Sequence, residues 1–146
     1  MLVLGKKTDY ALISLAWLSE HDGRYVSARE IAQANGLPLP ALMQILKILH
    51  QNGVLKSTRG VKGGYQVAAC LESLSLLSLS QMLTAAEGDQ AAEKMNEHPE
   101  HQLPLQAMRQ KLSRFLQDVS VSQVIRPGRR IDVPIEDLRI ADRLTV

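Results

Sequence analysis

The sequence predicts a mainly α fold with a small β-wing: a helix-turn-helix, a hairpin and a long later helix. Three observations carry that prediction. Leu42, Ile45, Leu46 and Leu49 recur at i, i+3, i+4 and i+7, the spacing of a helix with one face in a core. Val54–Ser57 and Gly64–Val67 are short strand-like pieces around a basic, glycine-rich turn, which is the outline of a hairpin. Leu105, Met108, Leu112, Phe115 and Val119 follow three-four spacing, with Leu116 widening the stripe, the pattern of a helix that pairs with another helix.

The first helix is expected to begin between Lys6 and Asp9 and to run to Glu20, with Tyr10, Leu12, Ile13, Leu15, Ala16 and Trp17 as a wide apolar face. An indole in such a stripe is a packing anchor. His21-Asp22-Gly23 makes a turn, and Tyr25-Val26 suits a short third strand of the wing sheet. Ser27-Ala28-Arg29-Glu30 matches the capping box, which opens a second helix to Asn35 that Gly36 closes. A third helix follows after a few residues. Pro40 suits its first position, where a missing N–H costs nothing, and Gly53 can take the left-handed conformation that ends it. Its outer face carries Ala41, Gln44, Lys47 and Gln51. Two short helices joined by a tight glycine-containing turn are a helix-turn-helix, and the hairpin makes it a winged one.

The wing turn, Thr58 to Gly63, holds Arg59 and Lys62, with Lys56 just before it. Glycines there let backbone N–H groups and cations approach a phosphate. Gly60-Val61-Lys62-Gly63-Gly64 superficially suggests a nucleotide loop, but it lacks the GK[ST] ending and lies between strands instead of before a helix. Charge distribution points the same way. Residues 1–65 hold eight Lys/Arg against four Asp/Glu and residues 66–146 nine against eleven, so the front is +4 and the back −2 within a total of +2. An anionic partner for the front is the expectation. A chain of 146 residues has room for one compact domain and an accessory element. No apolar run approaches a membrane span and no signal-peptide pattern opens the chain. The single cysteine, Cys70, excludes an intramolecular disulfide and agrees with a cytoplasmic location. No G-x-S-x-G, H-E-x-x-H or paired catalytic carboxylates point to an enzyme.

From the N-terminus to Gly88 the chain resembles the IscR/NsrR/CymR-type family of bacterial winged-helix transcription regulators. The resemblance rests on Lys7-Thr8-Asp9-Tyr10-Ala11, on Ser27-Ala28-Arg29-Glu30-Ile31-Ala32, and on Leu42, Gln44, Ile45 and Leu46. The wing matches best, with Gly53-Val54-Leu55-Lys56-Ser57, Arg59-Gly60 and Gly63-Gly64-Tyr65 in the family's order. It implies a homodimeric regulator, a repressor, binding double-stranded DNA. The third helix would enter a major groove with its N-terminal residues at base edges. The implied DNA-contacting set is Ser27, Arg29, Pro40, Ala41, Gln44, Lys47, Lys56, Ser57, Arg59, Gly60, Lys62, Gly63 and Tyr65. Within it Gln44 offers paired groups to adenine, Arg59 enters a minor groove, and Lys56 and Lys62 hold the backbone. Family members often carry a tyrosine and a glutamate near the positions of Ala41 and Met43, so two polar reading groups are missing here.

The implied organisation is a winged helix-turn-helix domain over 1–88, a degenerate sensor loop over 89–102, a dimerisation helix region over 103–126 and a tail over 127–146. Cys70 reads as a structural thiol, because nothing near it in sequence supplies a cation to lower its pKa. Ser78-Leu79-Ser80-Gln81 repeats the capping-box spacing and is expected to start a helix through Met82, Leu83 and Ala86 to Glu87-Gly88. Cluster-binding relatives keep three cysteines in the loop, where this chain has none, so a conventional iron-sulfur cluster is disfavoured. His98 and His101 are spaced for one metal, but without a fixed third ligand they fall short of a metal motif. Pro104 opens the long helix, whose dimerisation set is Leu105, Met108, Leu112, Phe115, Leu116 and Val119, and Ser120–Val124 begins a further short helix. The rival readings are a protein-interaction module that keeps this fold and a regulator using a non-cysteine metal site.

Overall fold

Residues 4–86 and 103–126 are described by the structure, a computed structural model. The elements in chain order are α1 (Lys6–Glu20), α2 (Ala28–Asn35), α3 (Leu39–Gln51), β1 (Leu55–Thr58), β2 (Gly64–Val67), α4 (Leu76–Ala85), α5 (Leu103–Asp118) and α6 (Val121–Ile125). α1 is the hub, touching α2, α3, α4, α6 and β2. The core it anchors includes Leu15, Leu18, Ile31, Leu42, Leu46, Leu79 and Val121.

The stripe of α3 is as expected: Leu42, Ile45, Leu46 and Leu49 are all buried. That of α1 is not. Its buried positions are Thr8, Ala11, Ser14, Leu15 and Leu18, while Ile13 is exposed and Tyr10, Leu12 and Trp17 only border the core. The small residues are inside because neighbouring elements approach α1 on that side. Ser14 tolerates burial by donating its hydroxyl to the Tyr10 carbonyl at 2.7 Å, which satisfies an otherwise costly group. The Trp17 ring lies 4.3 Å from that of His21, and its buried Nε1 has no acceptor among the described residues.

Ser27 caps α2 by accepting from the Glu30 N–H at 3.1 Å. The Glu30 carboxylate does not close the expected box. It takes the Arg24 guanidinium through two bonds, at 2.6 and 3.3 Å, and that partner holds its carboxyl below the usual range. Gly36 ends α2 at φ 64°. Pro38 is the cap of α3 and Pro40 its second residue, one place later than expected. Both serve the same purpose there, because the N–H groups of a first turn have no intrahelical acceptor.

β1 and β2 pair antiparallel with Leu55 opposite Val67, Lys56 opposite Gln66, Ser57 opposite Tyr65 and Thr58 opposite Gly64. The expected third strand is a single bridge. Val26 donates to the Tyr65 carbonyl at 2.9 Å and accepts from the Tyr65 N–H at 2.8 Å.

α4 begins three residues earlier than Ser78. Its cap is Ser75, whose hydroxyl accepts from the Ser78 N–H at 3.1 Å. A tertiary contact selects it: Ser75 bridges Ser120, with the Leu76 N–H on the Val119 carbonyl and the Val121 N–H on the Leu74 carbonyl, each at 2.8 Å. Ser120 in turn forms a complete capping box with Gln123 at the start of α6. The expected end of α4 at Glu87-Gly88 lies outside the described residues, as do the 89–102 loop with His98 and His101 and the 127–146 tail.

α5 packs on α4, which corrects its expected role in part. Leu116 and Val119 are buried in the chain's own core and Phe115 packs against it, so the first two are closed to a second copy. Met108 and Leu112 remain 50% and 45% exposed. The Leu105 side chain lies outside the described ones.

Candidate nucleic-acid interface

The turn between α2 and α3 is closed locally, by Gly36 and by the Leu37 N–H on the Ala32 carbonyl at 3.0 Å. It seats α3 on the core through its apolar stripe and leaves the opposite face outward. That outer face carries Pro40, Met43, Gln44 and Lys47, all exposed, at i, i+3, i+4 and i+7, with His50 and Gln51 at its far end.

The wing stands beside it. Ser57 Oγ lies 3.2 Å from His50 Nε2, tying β1 to the last turn of α3. At the tip Gly60 adopts φ 115°, and the Gly63 N–H donates to the Gly60 carbonyl at 2.9 Å. Val61 is fully exposed between Gly60 and Lys62.

Charge along this part of the chain has one sign. Residues 31–71 contain Lys47, Lys56, Arg59 and Lys62 and no aspartate or glutamate. All four cations are exposed. Glu30 stands at the edge of this surface, in a cleft with Val61 and Lys62, where Arg24 pairs it, so the field offered to a polyanion is positive.

Of the positions expected from the sequence, Ser27, Arg29, Pro40, Gln44, Lys47, Lys56, Ser57, Arg59, Gly60 and Lys62 are exposed. Ala41, Gly63 and Tyr65 are half-buried, and Tyr65 packs against the core. The Ser27 hydroxyl is already engaged as the cap of α2. One outward residue escaped the sequence reading, Val61. Met43 entered that reading only as a place where a polar reading group is missing, and the structure shows its side chain exposed there.

Cys70 is corrected as well. It is exposed, not structural, and lines a cleft of about 480 Å³ with Ser19, Glu72 and Arg126 among others. The Ser73 hydroxyl, then the Ser73 and Glu72 backbone N–H groups, hold its thiol below the ordinary cysteine range. The 70–73 turn, closed by the Ser73 N–H on the Cys70 carbonyl at 3.1 Å, supplies what no nearby cation does. A lowered pKa means more thiolate at neutral pH and faster attack on electrophiles. Iodoacetamide is therefore expected to alkylate Cys70 faster than an unstructured cysteine peptide, and Ser73→Ala to slow it several-fold. Equal rates in the two proteins would show that Ser73 does not act on the thiol.

This winged-helix fold recurs in known proteins. The profile of the Rrf2 family, described as iron-dependent transcriptional regulators, matches residues 4–127. The chain belongs to the Rrf2 family. Among curated relatives of this Rrf2 chain is the HTH-type transcriptional regulator IscR of Cereibacter sphaeroides, 30% identical over 83 residues, which are 57% of this chain and 52% of that protein. The chain spans about half the length of the curated relatives it matches. Among solved structures, CymR of Staphylococcus aureus superposes with a TM-score of 0.65 at 26% identity, covering 88% of this chain and 100% of that one. CymR of B. subtilis gives 0.66 at 23%, with 86% and 97% covered. The IscR of T. potens gives 0.67 at 21%, with 92% and 96% covered. The reported relatives are transcription regulators, not enzymes.

The description of Rrf2 proteins as iron-dependent raises the question of donors. Iron-sulfur clusters are held by several cysteine thiolates, and this chain has one cysteine in all. That donor set does not fit a conventional cluster within one chain. Among the described residues there is also no group of three or more His, Cys, Asp or Glu able to hold a metal ion. No helix among the described residues is long and apolar enough to cross a membrane.

Proposed function

We propose that this Rrf2 chain is a sequence-specific DNA-binding transcription regulator, acting as a homodimer and without a thiolate-held iron-sulfur cluster. The observation that carries the reading is the run of residues 31–71 without an acid, in which the outer face of α3 and the wing expose Lys47, Lys56, Arg59 and Lys62. α3 enters the major groove by its N-terminal half, and Gln44 there has the donor and acceptor pair that suits adenine. Arg59 at the wing tip meets a minor groove, while Lys56 and Lys62 neutralise phosphates. Lys47, further along α3, takes a phosphate at the groove edge.

Homodimerisation is supported by the exposed Met108 and Leu112 on α5, one helical turn apart on the same stripe. Two heads related by a two-fold axis would read half-sites about 34–36 Å apart, one turn of DNA. A dimer so placed over a promoter blocks polymerase, and repression is the mode proposed. The place of action is the cytoplasm, where bacterial DNA lies.

The test is fluorescence anisotropy of the full chain on a labelled mixed-sequence duplex. The three wing cations on each of two subunits neutralise about six phosphate charges, Arg59 from within the minor groove, and affinity is expected to fall roughly 10³-fold between about 50 and 200 mM salt. A protein that stays unbound at the lower salt, or whose affinity ignores salt, would refute the reading.

A further inference from the structure

We propose that Met43 reads the 5-methyl group of a thymine in the major groove, so that each operator half-site carries an obligatory thymine facing the first turns of α3. The inference rests on the DNA-binding reading above and gives it a base.

Met43 is 54% exposed in the middle of the outer face of α3. A single exposed apolar side chain is ordinary on a protein surface. Its place makes this one informative. Pro40 stands one turn before it, Gln44 beside it and Lys47 one turn after it, and no carboxylate occurs from residue 31 to residue 71. Lys47 thus shares the outer face with this apolar side chain, which lies in the half of the helix that a helix-turn-helix brings to base edges.

The chemistry of the groove then selects the target. A thioether is a poor hydrogen-bonding partner, so it gains little from the amino, carbonyl and ring-nitrogen groups that adenine, guanine and cytosine present there. Of the four ordinary bases, only thymine places an apolar group in the major groove, its C5 methyl. An unbranched, polarizable side chain can lie along that methyl without a fixed shape. Gln44, one residue on, is then placed to pair with a neighbouring adenine. The apolar reader and the amide beside it together favour A/T content under the helix.

The experiment is selection by this chain from an unmethylated random DNA pool, in which thymine is the sole source of a 5-methyl group. Each thymine of the enriched site is then replaced by uracil, which removes only that methyl. Wild-type protein is expected to lose about fourfold affinity at one thymine per half-site, the value of one buried methyl group. Met43→Ala is expected to bind thymine and uracil sites equally at that position, and Met43→Leu to keep the preference. An enriched site that tolerates every uracil, or whose uracil penalty persists undiminished in Met43→Ala, overturns the assignment while leaving DNA binding intact. A pool that yields no sequence, with no duplex bound at low salt, removes the DNA-binding reading itself and this inference with it.

Discussion

Gly64→Ala is expected to destabilise the fold by about 3 kcal/mol or more, a large share of the roughly 5–15 kcal/mol that holds a domain of this size. Gly64 opens β2 at φ 152°, opposite Thr58, next to the Val26–Tyr65 bridge that joins the wing to the helical head. A Cβ there would fall on the carbonyl carbon and oxygen of Val26 and within 2.7 Å of the Ser27 N. All three are backbone atoms, so none can rotate away. Relief requires Val26 to move off Tyr65, which breaks both bonds of the bridge and shifts Ser27, the cap of α2. Gly60→Ala is the control. It also has a positive φ, at 115°, but nothing lies within 4 Å of its added Cβ, so it carries backbone strain of about 1–3 kcal/mol without a collision. Urea denaturation followed by circular dichroism measures both, with the midpoint falling further for Gly64→Ala and the slope unchanged. Equal losses at the two positions would mean that the close approach to Val26 is not what demands glycine.

Replacing Lys56, Arg59 and Lys62 together by glutamine is expected to weaken DNA binding roughly 10²- to 10³-fold near 50 mM salt and to flatten its salt dependence. Each neutralised phosphate contact contributes about 0.9 to the slope of log affinity against log salt, so three per subunit remove about 2.7, or about 5 for a dimer. Folding is expected to survive. The three side chains are exposed and the strand register is held by main-chain bonds. The charge variant therefore separates from Gly64→Ala, which acts on stability, and from Met43→Ala, which changes base preference while leaving the slope alone. A slope that does not change would place the phosphate contacts elsewhere, with Lys47 and Arg29 the next to replace.

What the sequence by itself determined lies within a few residues of chain. The stripe at Leu42, Ile45, Leu46 and Leu49 fixes α3. Ser27 and Gly36 bound α2, Ser120 with Gln123 starts α6, and the glycine-rich basic turn sets the hairpin. In each case a helical period, a capping bond or a turn spans one to seven residues, and such short-range rules are written in the order of side chains. The cations of the surface were legible for the same reason, since charges that avoid the core stay outside wherever the helices pack.

Tertiary structure decided the remainder. The buried side of α1 is chosen by how closely its neighbours approach, which favours Ala11 and Ser14 over Ile13. Ser75 outranks Ser78 as a cap because Ser120 pairs with it from 45 residues away along the chain. Leu116 and Val119 belong to the core because α5 folds back on α4, leaving Met108 and Leu112 outside. Met43 faces outward only once its neighbours Leu42 and Ile45 are seated, and the demand for glycine at position 64 exists only because Val26 passes beside it. Periodicity says that a helix has an apolar side, but which residues fill the boundary of that side is set by distances between segments remote in sequence.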